Sequence, residues 1–318
     1  MQSSAPDKRD EASAFPDGAY RPRRNARLLH ANIRGLDHAV REWGDPALPP
    51  VLLLHGWMDA SSSWQFLADA LPDSVFSRAR VVAPDWRGFG DSAWPRDGYW
   101  FADYHADLDA LLDWLGPTRP VTLIGHSMGG NIACIYAGLR PARVGKLVSL
   151  EGFGMPDSPA DAAPARLRQW LDHLKAEVAS PAGPRPYPDI AALADRLRRA
   201  NPRLTVERSL YLAAMQSRLT ESGRVLKHDP RHKAPGALPY RLADAMAAWR
   251  CVTAPTLWVQ GDQSDLLTRF HGTDDSDLAQ RAACFANIRR QTLADAGHML
   301  QHDQPEVLAA RLAEFLAD

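Results

Sequence analysis

The sequence predicts an α/β fold in which a mostly parallel β-sheet is covered by helices on both faces. Short apolar runs rich in Val and Leu alternate with amphipathic stretches along most of the chain. Strands that are apolar on both faces are typical of parallel sheets buried between helices. No repeat of fixed period is visible, so the alternation indicates one large core rather than a solenoid. A chain of 318 residues is long enough for such a core and an inserted subdomain.

Each strand and helix is predicted from the spacing of its apolar residues. The predicted strands are Val51–Trp57, Ala79–Trp86, Val121–Gly125, Val144–Gly152 and Thr256–Asp262, with one more shortly before His298. The predicted helices are Tyr104–Gly116, Asn131–Leu139, Asp277–Ala286 and Pro305–Leu316.

The chain is predicted to divide into a polar arm, a core and an insertion. Residues 1–25 contain no apolar run and are expected to be a disordered N-terminal arm. Residues 26–152 and 251–318 form the predicted core. Between them, residues 153–250 are rich in Pro, Ala and Arg, with expected helices over 190–200 and 241–250 and no expected strand. Because open α/β sheets bind ligands at the carboxyl ends of their strands, this helical cap insertion is a candidate lid.

Composition excludes several classes of function. The 37 Lys and Arg nearly balance the 38 Asp and Glu, which gives no support for a nucleic-acid partner. Cys134, Cys251 and Cys284 are far apart, so neither a disulfide framework nor a metal site is expected. The chain shows no secretory signal and no span long enough for a membrane, and the expected location is the cytoplasm. Its oligomeric state is not readable from the sequence.

One serine is placed where this architecture presents a nucleophile. Gly125-His126-Ser127-Met128-Gly129 matches G-x-S-x-G and lies between a predicted strand and a predicted helix. The flanking glycines permit a tight turn, and the following helix offers its positive dipole end to a developing negative charge. Ser127 is therefore the candidate nucleophile.

A serine hydroxyl needs a base, and the expected chain order is serine, acid, histidine. His298 follows a late strand in a Gly-led loop and is the candidate base, with His302 expected to be a solvated neighbour. His55 and His126 flank other motifs and are expected to shape the site by hydrogen bonding.

Three carboxylates compete for the role of the triad acid. Asp265 is preferred because it lies a few residues beyond the end of the TLWVQG strand segment (Thr256–Gly261), where a loop can direct it toward His298. Asp262 is closer to the strand and more suited to bracing the loop. Glu151, at the end of another predicted strand, is the alternative acid.

Acyl transfer also requires an oxyanion hole. One expected donor is the backbone N–H of Met128, the residue after the nucleophile. The other is the backbone N–H of Trp57, in the His55-Gly56-Trp57 turn where glycine lets the main chain approach closely.

Taken together, the motifs HGW, PDWRGFGDS, GHSMGG, GDQSD and GHMLQHDQPE resemble those of the α/β-hydrolase fold superfamily, from about Leu53 to the C-terminus. The phrases LVSLEGFG and KHDPR (Lys227–Arg231) look more narrowly like the serine hydrolase-like group. The resemblance implies esterase-type chemistry and no cofactor. Dehalogenases and epoxide hydrolases of the superfamily use a carboxylate at the position of Ser127, so those activities are not expected.

The sequence thus predicts a serine hydrolase that cleaves carboxylic esters of a small-molecule acyl substrate through an acyl-enzyme. Thioesters, lactones and C–C bonds can be cut by the same triad and remain alternatives. A non-catalytic ligand-binding protein of the same fold is the alternative of another class, and loss of a triad residue would favour it. All triad positions carry suitable residues.

Overall fold

A computed structural model describes residues 15–180, 183–272 and 275–317. The described residues divide into two compact units, one within Met1–Arg21 and Arg185–Leu226, the other within Pro22–Pro184 and Lys227–Asp318. Over the described residues, no helix combines the length and apolar character that crossing a bilayer requires.

The larger unit is built on an eight-stranded sheet. In chain order its strands are β1 (Arg27–Ile33), β2 (Leu36–Trp43), β3 (Pro50–Leu54), β4 (Arg80–Pro84), β5 (Val121–His126), β6 (Val144–Leu150), β10 (Thr256–Gly261) and β11 (Ile288–Leu293). Their spatial order is β1-β2-β4-β3-β5-β6-β10-β11. In this spatial order, every neighbouring pair from β4 through β3, β5, β6 and β10 to β11 is parallel. Strand β2 pairs antiparallel with both β1 and β4. The mostly parallel sheet predicted from sequence is confirmed, and the β1–β2 hairpin adds an edge that was not predicted.

Helices of the larger unit cover both faces of this sheet. The helices of this unit are α1 (Gln65–Ala70), α2 (Asp73–Phe76), α3 (Phe101–Leu115), α4 (Met128–Leu139), α5 (Ala163–Ala179), α8 (Leu242–Trp249), α9 (Asp265–His271), α10 (Ser276–Ala282), α11 (Leu300–Asp303) and α12 (Pro305–Ala317). Of these, α5 buries none of its residues. Neighbouring strand residues alternate between two apolar cores: Leu52 packs with the core that includes α3 and α4, and Leu53 with the core that includes α1 and α12. The burial of both strand faces explains the continuous apolar runs in the sequence.

The smaller unit contains an antiparallel sheet within the predicted insertion. Its elements are α6 (Ile190–Ala200), α7 (Val206–Met215) and the strands β7 (Pro186–Tyr187), β8 (Ser217–Thr220) and β9 (Gly223–Leu226), in the order β7-β9-β8. The expectation of an insertion without strands was therefore wrong. Strands of two to four residues are too short to show a period-two pattern in sequence.

The expected arm and insertion boundaries also differ from the structure. Residues 1–14 lie outside the described residues. From Phe15 onward the chain is packed: the Phe15 ring stacks on Tyr211 at 5.2 Å, and the backbone N–H of Arg23 donates to Asp69 at 3.0 Å. Packing of the Phe15 ring offsets the conformational entropy that is lost when this segment is ordered, whereas its polar side chains alone would not. Of the predicted insertion, residues 153–184 and 227–250 group with the core unit.

The KHDPR and PDWRGFGDS motifs lie against each other in the larger unit. The backbone N–H of Asp229 donates to Gly88 at 2.9 Å, and Lys227 pairs with Asp91 at 2.6 Å. Asp85 braces the same loop, since its carboxylate accepts from the backbone N–H groups of Ser61 and Asp91. The PDWRGFGDS loop therefore has the structural role expected of it.

We predict that His105 of α3 makes stability depend on pH. Burial lowers its pKa from 6.5 to about 4, and its ring lies 5.3 Å from Phe101. Since the unfolded chain binds this proton first as pH falls, the stability that the neutral ring contributes is present above pH 6.5 and is lost toward pH 4. Compared with His105→Leu, the native chain should lose up to about 1.4 kcal/mol for each pH unit in that window. Denaturant unfolding of both proteins between pH 7.5 and 5 measures this, and parallel pH curves would contradict a buried neutral ring.

Candidate active site

The backbone of Ser127 is held in a strained turn between β5 and α4. Its φ is +51° and its ψ −114°, a conformation that non-glycine residues rarely adopt and that costs on the order of 1–3 kcal/mol. Two hydrogen bonds hold the turn: the Ser127 N–H donates to Leu150 of β6 at 2.8 Å, and its carbonyl accepts from Asn131 at 3.0 Å. The residue is half-buried.

The glycines beside Ser127 are required by close backbone contacts. A Cβ on Gly129 would lie 2.1 Å from the carbonyl oxygen of Leu54, and one on Gly125 would lie 2.3 Å from the carbonyl oxygen of Gly129. The first helical turn therefore packs directly on the end of β3. This contact explains why the sequence has glycine on both sides of the serine.

His298 lies in the loop that follows β11 and is hydrogen-bonded to a carboxylate. Its Nδ1 is 3.2 Å from Oε2 of Glu151, and about a quarter of the histidine side chain is exposed while the Glu151 side chain is fully buried. The ring of His126, the residue before Ser127, lies 4.8 Å from the His298 ring. The structure thus brings His298 to the turn that carries Ser127.

Glu151 occupies the end of β6 in a second strained position. Its φ is +57°, and its N–H donates to Val259 of β10 at 3.0 Å. The carboxylate also accepts from the Gly261 N–H at 2.7 Å and from the Ser264 hydroxyl at 2.5 Å. With the His298 ring, these donors satisfy a charge that would otherwise be costly to bury.

The preferred acid, Asp265, is not the carboxylate that meets His298. Asp265 is the first residue of α9 and its side chain is exposed, whereas Ser264 caps that helix by accepting from the Leu267 N–H at 3.4 Å. Successive residues at a helix start point about 100° apart, so when Ser264 faces Glu151 the next side chain is directed elsewhere. The preference for Asp265 is therefore corrected in favour of the alternative, Glu151.

Asp262 has the bracing position expected of it. Its carboxylate accepts from the N–H of Ala296 at 3.2 Å, and its own N–H donates to Leu293 at 3.0 Å. These bonds fix the start of the loop that carries His298. His302 is not the solvated neighbour expected from sequence, since it is buried with its ring 5.7 Å from that of Phe66.

The expected oxyanion turn lies next to Ser127. A Cβ on Gly56 would be 3.2 Å from the Cβ of Ser127, so the Gly56 main chain passes beside the serine. His55 holds this turn, because its Nδ1 is 2.8 Å from the Gly56 carbonyl and its Nε2 accepts from the Trp86 N–H at 2.9 Å. Burial lowers the pKa of His55, against the opposing charges of Asp85 and Asp59.

Met128, the other expected donor, is the first residue of α4. Backbone N–H groups in the first turn of a helix have no partner within it. Trp57 follows Gly56 directly, and its side chain is half exposed. Both residues therefore flank Ser127 on the side where a helix N-terminus and a glycine turn meet.

Sequence reasoning missed Gly261 and Ser264 as partners of the acid. No local signal distinguishes them, because they stand beside Asp262 and Asp265 in the same short loop and the carboxylate that they meet comes from another strand. Within the described residues, no group of three or more His, Cys, Asp or Glu side chains is arranged to hold a metal ion.

Comparisons with known proteins agree on one family. The family model described as alpha/beta hydrolase fold matches residues 49–305. A serine hydrolase-like protein of Dictyostelium discoideum is 24% identical over 89% of this chain and 79% of its own. Epoxide hydrolase A of Mycobacterium tuberculosis is 29% identical over 91% of this chain and 96% of its own. The solved thioesterase domain from the curacin biosynthetic pathway superposes with a TM-score of 0.79 at 28% identity, over 91% and 99% of the two chains.

We predict that the elbow does not tolerate a methyl group at Gly129. Gly129→Ala would place a Cβ against the carbonyl oxygens of Leu54 and His55, neither of which can move without shifting β3. We expect Gly129→Ala to lower the free energy of unfolding by about 1–3 kcal/mol. We also expect catalytic activity to fall by more than this loss of stability explains. Gly236→Ala is the matched control, since its nearest contact would be an ordinary 3.7 Å from Leu238. Equal melting temperatures and rates for the two variants would contradict the packing argument.

Proposed function

The chain belongs to the α/β-hydrolase fold family, and from this premise we propose that it is a serine hydrolase of carboxylic esters. Ser127 attacks the ester carbonyl while His298 takes the hydroxyl proton and then passes it to the leaving alcohol. The N–H groups of Met128 and Trp57 bind the oxyanion. Water then repeats the cycle on the acyl-enzyme and releases the acid.

The observation that carries the proposal is the hydrogen bond between His298 and Glu151. The Nδ1 atom of His298 lies 3.2 Å from the fully buried carboxylate of Glu151. Because a carboxylate accepts, Nδ1 of His298 carries the proton, and its Nε2 is the basic nitrogen. A buried carboxylate stabilises the imidazolium that forms when the serine proton is taken. Such a pair beside a serine in a strained turn favours catalysis over a purely structural role.

In this proposal Glu151 takes the part that sequence reasoning gave to Asp265. The Glu151 carboxylate accepts hydrogen bonds from two groups that fix its position and from one group, the His298 ring, that it must orient. Gly261 and Ser264 supply the fixed bonds. The carboxylate therefore needs no rearrangement when His298 becomes charged, which is the condition for electrostatic preorganisation.

Epoxide hydrolysis is not proposed, although one relative is named for it. In the superfamily that reaction uses a carboxylate nucleophile, which forms an alkyl-enzyme ester. This chain has Ser127 at the elbow, and an alkyl ether formed on serine could not be released by water attack at a carbonyl.

Thioester hydrolysis is a second candidate. The thioesterase domain that superposes on this chain is 28% identical to it and covers 91% of its length. The same residues would serve, with the proton of His298 delivered to a leaving thiolate that needs it less. The ratio of rates on matched oxygen and sulfur esters of one acyl group distinguishes the two substrates.

We predict that p-nitrophenyl esters are hydrolysed and that Ser127→Ala abolishes their turnover. Loss of the nucleophile should lower kcat by a factor on the order of 10³ or more. A series from acetate to decanoate reports the depth of the acyl pocket. Ser74→Ala, exposed in α2, is the matched control and should keep native rates. Turnover that survives in Ser127→Ala would remove Ser127 from the mechanism.

We also predict that the two candidate acids respond oppositely to neutral substitution. Glu151→Gln removes the charge that His298 needs, and kcat should fall about 10²–10⁴-fold, as for triad acids elsewhere. Asp265→Asn changes an exposed side chain and should leave kcat within about twofold. Steady-state rates and melting temperatures of both variants test this. A large fall in Asp265→Asn with native rates in Glu151→Gln would restore the acid preferred from sequence.

A further inference from the structure

His126 is a buried histidine that the proposed mechanism does not use. It is the last residue of β5, directly before Ser127, and only 1% of it is exposed. Its Nε2 lies 2.7 Å from the main-chain carbonyl oxygen of His298. One side chain therefore joins the strand that ends at the nucleophile to the loop that carries the base.

The hydrogen bond fixes the tautomer of this ring. A carbonyl oxygen only accepts, so Nε2 of His126 must carry the proton and Nδ1 must hold a lone pair. Nδ1 lies against the oxyanion turn, since a Cβ on Gly56 would be 2.9 Å from it. Over the described residues, Nδ1 has no hydrogen-bond partner. The ring is thus placed by one hydrogen bond on one side and by packing on the other.

The surroundings keep this ring neutral. Burial holds the pKa of His126 well below its usual value, and the neighbouring imidazoles of His298, His302 and His55 also lower it, against the hydrogen bond to the His298 carbonyl, which raises it. A charge on His126 would also oppose the positive charge that His298 takes during the reaction. A neutral donor holds the loop without that cost.

We propose that His126 is a positioning residue that sets the distance between Ser127 and His298, an inference that rests on the proposed function. Its Cα is one peptide bond from Ser127, and its Nε2 holds the main chain of His298. The ring also lies beside Gly56, where a Cβ would be 2.9 Å from Nδ1, so three parts of the site adjoin one ring. A misplacement of about 1 Å at a catalytic group can cost about 10²-fold in rate.

The test compares a variant that keeps the donor with one that lacks it. His126→Gln places an amide N–H as many bonds from Cβ as Nε2 of histidine, whereas His126→Met has similar length and no donor. We expect His126→Met to lower kcat about 10- to 100-fold with KM changed less than threefold, and His126→Gln to recover most of that loss. The rate of Ser127 modification by a fluorophosphonate should fall and recover in parallel.

A second pair of variants, His126→Gln and His126→Asn, covers the case in which the His126→Met protein does not fold. His126→Asn carries the same amide as His126→Gln on a side chain one carbon shorter, which cannot reach the His298 carbonyl. Its kcat should then fall as expected for His126→Met. Equal kcat in the donor and non-donor variants of either pair would overturn the proposal, whether both are active or both impaired.

The two proposals fail in different ways. Ser127→Ala is assayed beside the His126 variants with the same p-nitrophenyl ester. Activity in Ser127→Ala would end the proposed function and this inference with it. An inactive Ser127→Ala together with native kcat in His126→Met would overturn the positioning role and leave the serine hydrolase standing.

Discussion

A fully buried carboxylate, directly after β6, fixes the positions of the groups around it. Glu151 is fully enclosed, so its charge is tolerated only while each donor around it stays in place. Those donors belong to the end of β10, to the cap of α9 and to the loop after β11. Loss of any one of them would leave a buried charge short of a partner. The acid therefore specifies the arrangement of the β10–α9 loop and of the loop after β11.

The main chain supports this arrangement by continuing the sheet beyond the ends of its strands. The N–H of Ser127 bonds to β6, that of Glu151 to β10, and that of Asp262 to β11. Each bond runs from the residue that follows one strand to the next strand across the sheet. The positive φ of Ser127 and of Glu151 is thereby held by sheet hydrogen bonds. Strain that would relax in a free loop persists here because the surrounding ladder over-determines it.

Features that depend on local sequence could be predicted, and features that depend on distant contacts could not. The elbow was accessible because glycines, strand and helix occur within about ten residues of one another. The choice of acid could not be predicted from local sequence, because Glu151 after β6 and Asp265 after β10 are both candidates for the same histidine. Nothing within the GDQSD loop shows that Ser264 rather than Asp265 faces inward. The hairpin of β1 and β2 turns at Arg34-Gly35, where both φ values are positive, and only the glycine of this pair is a turn signal in the sequence.

The identity of residue 151 as glutamate follows from the order of the strands. β10 lies between β6 and β11, so the acid and the base start from strands about 10 Å apart. The histidine loop covers part of that distance by folding over the end of β10, where Gln263 donates to Ala296 at 3.0 Å. Gly261 permits this approach, because a Cβ there would lie 2.3 Å from the same carbonyl oxygen. The remaining gap is spanned by the side chain itself, and glutamate has one more methylene than aspartate with which to do so.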